Sequence, residues 1–188
     1  MKNKKAYEIV ILGRGGQGAK SLGEMIAKTA GMEGKYTQAF PEFGPERSGA
    51  PIKAFIRISE NKIRTRQPIV DPDCLLVLDE NLLTDKALLK KLDNNEPIII
   101  NTPLSERELK NKWRLSSKVF PIDATGLSQD IFKGNFPNLG VLGKFIFATE
   151  QIKLEDALAT YEKTYAEKIG QKKVSLGKKT IQVAYELV

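Results

Sequence analysis

The residues best suited to chemistry lie in two clusters near the amino end of this 188-residue chain. The first is Gly13-Arg14-Gly15-Gly16-Gln17-Gly18, which has G-x-G-x-x-G spacing. Glycines at these steps permit a tight turn and the close approach of a phosphate. A helix that follows offers unbonded N–H groups and a partial positive charge. Arg14 can add a formal charge. A plain strand-to-helix turn that binds nothing is the alternative reading. The second cluster is the run from Pro41 to Pro51, with Glu46, Arg47 and Ser48 at its centre. An arginine there can grip a carboxylate or phosphate with both arms of its guanidinium, and Glu46 can orient it. A rigid surface connection is the bland alternative.

Other chemistries are excluded by what the chain lacks. It has no histidine, so the usual neutral-pH proton shuttle is missing. It has one cysteine, Cys74. A [4Fe–4S] cluster takes four thiolates and structural zinc takes four cysteine or histidine ligands, so this chain alone builds neither. The net charge of +7 is spread along the chain among many acids, as on a solvated surface. No aromatic–basic interleaving marks a nucleic-acid site. No apolar run is long enough for a membrane span or a secretory signal, so a soluble, cytoplasmic protein is expected. The length suits one domain over residues 1–188.

The elements that would position the two clusters follow from pattern. Residues 7–12 are apolar and β-branched, a buried strand that leads into the glycine loop. A helix pattern runs from 19 to 29 and a second strand from 36 to 39, completing a βαβ unit. Residues 40–51 form a long loop. A strand at 52–59 followed by an arm at 63–67 predicts a β-hairpin. Further strands are expected at 74–78, 98–100 and 119–122. Helices are expected near 85–92, from Ser105 through Trp113 on capping-box spacing with Glu108, and at 138–149, 154–168 and 173–186. The fold class is therefore α/β: a Rossmann-like, mostly parallel sheet with helices on both faces, an added β-hairpin and C-terminal helices.

Several weaker signals keep two readings each. Lys62, Arg64 and Arg66 alternate, either as a charged edge or as phosphate contacts. Asp79 and Asp123 end predicted strands, where both ligand contacts and helix caps occur. Cys74 opens an apolar strand and reads as an inert buried thiol. Trp113 suits packing or an interface. Gly140 and Gly143 suit close helix packing or a subunit contact.

Several of these segments together resemble a known family. Gly13 to Gly18 has the form G-x-G-G-Q-G. Phe43 to Pro51 is close to F-G-x-E-R-x-G-A-P. Asp71-Pro72-Asp73 and Asn138-Leu139-Gly140-Val141-Leu142-Gly143 match later landmarks. Lys144 stands where that family often has alanine. The chain resembles the γ subunit, or the equivalent fused domain, of 2-oxoacid:ferredoxin oxidoreductases, in the pyruvate and ketoisovalerate branch. The resemblance implies a subunit of a complex that converts a 2-oxoacid, here pyruvate, to acyl-CoA and carbon dioxide with ferredoxin as acceptor. It implies partners of α, β and δ type that carry thiamine diphosphate and [4Fe–4S] clusters, and an isolated chain without activity. Coenzyme A is then the phosphate-bearing ligand expected at Gly13, Arg14, Gly15, Gly16, Gln17 and Gly18. Glu46, Arg47, Ser48 and Asn138 become ligand or subunit contacts. A free-standing NAD(P) or flavin oxidoreductase is the alternative. Against it, no acid stands at the end of the second predicted strand to hold ribose hydroxyls.

Overall fold

The computed structural model describes residues 6–42, 49–92 and 95–187. β1 (Tyr7–Arg14) leads through the glycine loop into α1 (Ala19–Met32), and then come β2 (Tyr36–Pro41) and β3 (Pro51–Ser59). β4 (Cys74–Val77) is followed by a short 3-10 turn over Glu80–Leu82, α2 (Lys86–Leu89) and β5 (Pro97–Asn101). α3 (Glu106–Trp113), β6 (Lys118–Ile122), α4 (Ala124–Phe132), α5 (Pro137–Thr149), α6 (Leu154–Ile169) and α7 (Gln171–Glu186) complete the chain.

The six strands form one sheet in the order β2-β3-β1-β4-β5-β6. β1, β4, β5 and β6 run parallel. β3 is antiparallel to both β1 and β2. Successive side chains alternate between faces. Ile9, Ile11, Ile56, Leu76 and Ile99 join the core beneath α1 and α5 to α7. Val10, Leu12, Phe55, Leu75, Val77, Ile98 and Ile100 join a second core that includes Leu88 of α2 and Leu109 of α3. Both faces are covered, which is why the parallel strands read as continuous apolar runs.

The fold class is the expected one, but its hairpin is built differently. Residues 63–67 form no strand. The antiparallel neighbours of β3 are β2 and β1, so β3 inserts between the two strands of the anticipated βαβ unit. Residues 60–73 instead cross the sheet without regular structure. Arg57 Nη2 donates to the Gln67 carbonyl at 2.8 Å, and Ile69 is buried. Arg57 is itself buried and pairs with Glu8 at 2.7 Å. A charged residue every second position met the strand pattern, but these side chains are exposed to solvent and face no partner strand.

α2 is one turn long, shorter than the pattern suggested. α4 was not anticipated, because Thr125, Gly126 and Ser128 are weak helix formers. The Asp123 carboxylate starts α4 by accepting the Gly126 N–H at 2.8 Å. The capping box at Ser105 and Glu108 is formed in full. In α5 the two glycines serve close packing. A methyl at Gly140 would lie 2.6 Å from Ala124 Cβ, and one at Gly143 would collide with the Ile181 carbonyl of α7. Lys144 is buried beside them and donates to the Leu187 carbonyl, with burial drawing its amine below the ordinary value. Cys74 is fully buried, and burial pushes its thiol up, so it is inert packing. No helix among the described residues is long and apolar enough to cross a membrane.

Candidate functional site

The glycine loop closes on itself through Gln17. Its side-chain Oε1 accepts the Arg14 N–H at 2.8 Å, and its own N–H donates to the Arg14 carbonyl at 3.1 Å. Gly16 and Gly18 take φ of +97° and +81°, a left-handed conformation that side chains resist. Gly18 immediately precedes α1, and no side chain caps that helix. The first-turn N–H groups of α1 therefore remain available to an anion.

Arg14 is not a spare charge. Its Nε donates to Asp79 Oδ2 at 2.6 Å and its Nη1 donates to the Gly49 carbonyl at 3.2 Å. Asp79 also accepts the Asn81 N–H at 3.0 Å, which starts the 3-10 turn. Burial raises the Asp79 pKa, but the hydrogen bonds from Arg14 and Asn81 outweigh it and hold the carboxyl below its usual value. Asp79 is thus a cap and an anchor. The pair bridges the carboxyl ends of β1 and β4, the crevice where an open α/β sheet usually takes a dinucleotide. β2 stands two strand spacings from β1, about 10 Å away. An acid at its end would not reach the ribose as in a nicotinamide-binding fold.

Two further segments meet the glycine loop. Gly49 and Ala50 pair with Gly15, through Gly15 N–H to Ala50 carbonyl at 3.0 Å and Gly49 N–H to Gly15 carbonyl at 3.2 Å. Glu46, Arg47 and Ser48 lie outside the described residues, and the chain that follows them returns to the sheet at the glycine turn. Asn138, from the first turn of α5, lies against Gly18: a methyl there would be 2.8 Å from its Cγ and Nδ2. The structure therefore brings Asn138 to the glycine loop across 120 residues of sequence.

Gly16, Gln17 and Gly18 also form one wall of a cavity of about 300 Å³ between α1 and the C-terminal helices. Tyr161 and Tyr165 stand in it with ring centroids 4.9 Å apart. Burial pushes the Tyr161 hydroxyl up to about 12, with Tyr165 adding to the effect, and burial raises Tyr165 too, against a hydrogen bond from Ser21. Sequence reading missed these tyrosines and Ser21. They look like ordinary amphipathic helix residues, and only the packing of α6 on α1 makes them a wall. Among the described residues, no group of three or more His, Cys, Asp or Glu could hold a metal ion.

Comparison with known proteins supports the fold. The family model described as "Pyruvate ferredoxin/flavodoxin oxidoreductase" matches residues 8–187. Pyruvate synthase subunit PorC of Thermotoga maritima is 37% identical over 185 residues, covering 98% of this chain and 96% of that protein. The pyruvate/ketoisovalerate oxidoreductases common subunit gamma of Thermococcus kodakarensis is 37% identical and covers 96% and 99%. The crystal structure of the Thermotoga maritima pyruvate oxidoreductase subunit superposes with a TM-score of 0.86 at 34% identity, covering 97% of each chain. A Magnetococcus marinus 2-oxoglutarate:ferredoxin oxidoreductase shares the fold, with a TM-score of 0.80 at 17% identity over 31% of its chain.

Proposed function

The chain belongs to the pyruvate ferredoxin/flavodoxin oxidoreductase family, and from that premise we propose that it acts as the γ-type subunit of a complex that oxidises pyruvate. The overall reaction takes pyruvate, coenzyme A and two oxidised ferredoxins to acetyl-CoA, carbon dioxide, two reduced ferredoxins and a proton. The observation that carries the reading is a match over nearly the whole length to chains named as subunits of pyruvate synthase. The residues fit a division of labour. One buried cysteine cannot ligate a [4Fe–4S] cluster. In this reading the clusters and thiamine diphosphate sit on partners of α, β and δ type, and ferredoxin is reached through the complex.

Coenzyme A is the ligand this chain suits. When bound, it supplies the thiol that receives the acyl group. The chain's own part is to hold phosphate: the N–H groups of Gly16, Gly18 and the first turn of α1 adjoin one another, and the Asn138 amide lies beside them. Gly13, Gly15, Gln17 and Arg14 shape that turn. Glu46, Arg47 and Ser48 are proposed to face the ligand or a partner subunit from the adjoining loop. The free-standing nicotinamide or flavin reading is set aside, because β3 separates β2 from β1 and Arg14 is paired with Asp79 across the crevice.

The test is purification of the tagged chain from its native host under mild conditions. Partner chains with iron–sulfur absorbance and bound thiamine diphosphate, and ferredoxin reduction that needs pyruvate and coenzyme A, are expected. A lone chain or homo-oligomer without them overturns the reading.

A further inference from the structure

Lys62, Arg64 and Arg66 take no part in the glycine-loop site. They lie at the other end of the sheet, separated from it by the length of β1, about 23 Å. A groove of about 770 Å³ opens there between the first residues of β1, the last of β3 and the chain at 61–65. Arg57, Lys62 and Arg64 line it. Among the described residues that line it, the one acid is Glu8, and Arg57 already holds that carboxylate at 2.7 Å. Lys62, Arg64 and Arg66 are exposed and make no ion pair with a described residue.

The backbone of the same stretch is unpaired. Asn61 N–H donates to Ser59 Oγ at 3.0 Å, and Gln67 N–H donates to Thr65 Oγ1 at 3.3 Å. Between them, the N–H and C=O groups of Lys62 to Arg66 make no hydrogen bond to a described residue. Both ends of the stretch are nevertheless fixed. Arg57 Nη2 holds the Gln67 carbonyl at 2.8 Å, and Ile69 is buried in the second core. The alternating residues read as a strand, yet this chain supplies no neighbour for one, because both edges of β3 are taken by β1 and β2. A segment pinned at both ends, with a row of free donors and acceptors, is a template for strand addition.

We propose that residues 62–66 become a β-strand in the assembled complex by pairing with an extended acidic segment of a partner subunit. The proposal rests on the reading of this chain as a subunit. At two-residue spacing the three cations fall on one face of a strand, so carboxylates at the same spacing on the partner meet all of them. The free backbone selects polypeptide over nucleic acid: phosphate oxygens accept from N–H groups but leave the C=O groups unmatched, whereas a second backbone supplies both partners. A second copy of this chain would bring the same three cations to the face and be repelled.

The experiment compares the purified complex, before and after nuclease treatment, with the isolated chain by amide hydrogen exchange. Amides of residues 62–66 are expected to exchange about tenfold slower or more in the complex, a protection that charge attraction without backbone pairing does not give. Carbodiimide treatment of the complex should join the Lys62 amine to a carboxylate of a partner subunit, read by mass spectrometry. The double variant Arg64→Glu/Arg66→Glu, tagged on this chain, should lose its partners at lower salt than wild type. Exchange equal to the isolated chain, protection that nuclease removes, no Lys62 cross-link to a partner, or retention to the same salt overturns the proposal. If the double variant does not fold, the same salt series on Lys62→Ala decides, and unchanged retention sinks it. An intact, active complex with residues 62–66 unprotected rejects only the added strand. Failure to recover any complex rejects the subunit reading with it.

Discussion

The carboxamide of Asn138 lies against the backbone of Gly18, so close that a single methyl on Gly18 would stand 2.8 Å from its Cγ and Nδ2. Glycine is required here twice over: for its φ of +81° and for the space its missing side chain leaves to Asn138. The contact couples the amino end of α1 to the amino end of α5, and through α5 to the C-terminal helices.

Gly18→Ala is therefore expected to destabilise the chain by about 2–4 kcal/mol, part from the left-handed backbone and part from the collision. Asn138→Ala in the same chain should recover the collision and leave roughly 1–2 kcal/mol of backbone strain. A double-mutant cycle of thermal or denaturant unfolding measures this. Additive losses would show that the two residues do not press on each other.

Asp79→Asn removes the carboxylate that Arg14 and Asn81 hold. At pH 7 it should cost about 1 kcal/mol, since the pair is partly exposed. The Asp79 carboxyl sits below its usual value when folded, so its stabilisation is full above the unfolded pKa of about 3.9 and fades as pH falls through the lower folded value. The gap between wild type and variant should thus be constant above about pH 5 and close in more acid solution. Urea midpoints from about pH 7 down to about pH 2.5 give the curve. A gap that persists at the acid end would refute the assignment.

Gly143→Ala should destabilise more than Gly140→Ala. The first methyl meets a backbone carbonyl of α7, which moves only if the helix moves; the second meets the Ala124 side chain and nearby backbone of α4. Overpacking of this kind costs about 1–3 kcal/mol. Equal melting temperatures for the two variants would contradict the packing described for α5 and α7.

Arg57→Leu breaks the buried pair with Glu8 and the tether to Gln67. A loss of about 3 kcal/mol is expected, because Glu8 is left without that partner. Residues 60–73 should also loosen, giving faster tryptic cleavage after Lys62, Arg64 or Arg66. Cleavage rates matched to wild type would show that Arg57 does not hold this segment.

Local pattern alone determined much of this protein. The apolar run before Gly13, the glycine spacing and the amphipathic residues after it specify β1, the turn and α1, because hydrophobic period and glycine conformation act over a few residues. The same holds for the Ser105 capping box and for the parallel sheet as a class. The absence of histidine and the single cysteine exclude whole chemistries by composition, since no fold can supply a ligand the chain does not carry. The tertiary structure decided what depends on pairing across long separations. It placed β3 between β1 and β2, because an uncharged strand over Tyr36–Pro41 satisfies its edge better than the basic residues at 62–66. It committed the charge of Arg14 to Asp79, 65 residues away. It laid Asn138 on Gly18 and gathered Ser21, Tyr161, Tyr165 and Lys173 around one cavity. Each of these side chains is ordinary in its own segment, since its meaning comes from neighbours that only the packing of α1 against α5, α6 and α7 supplies.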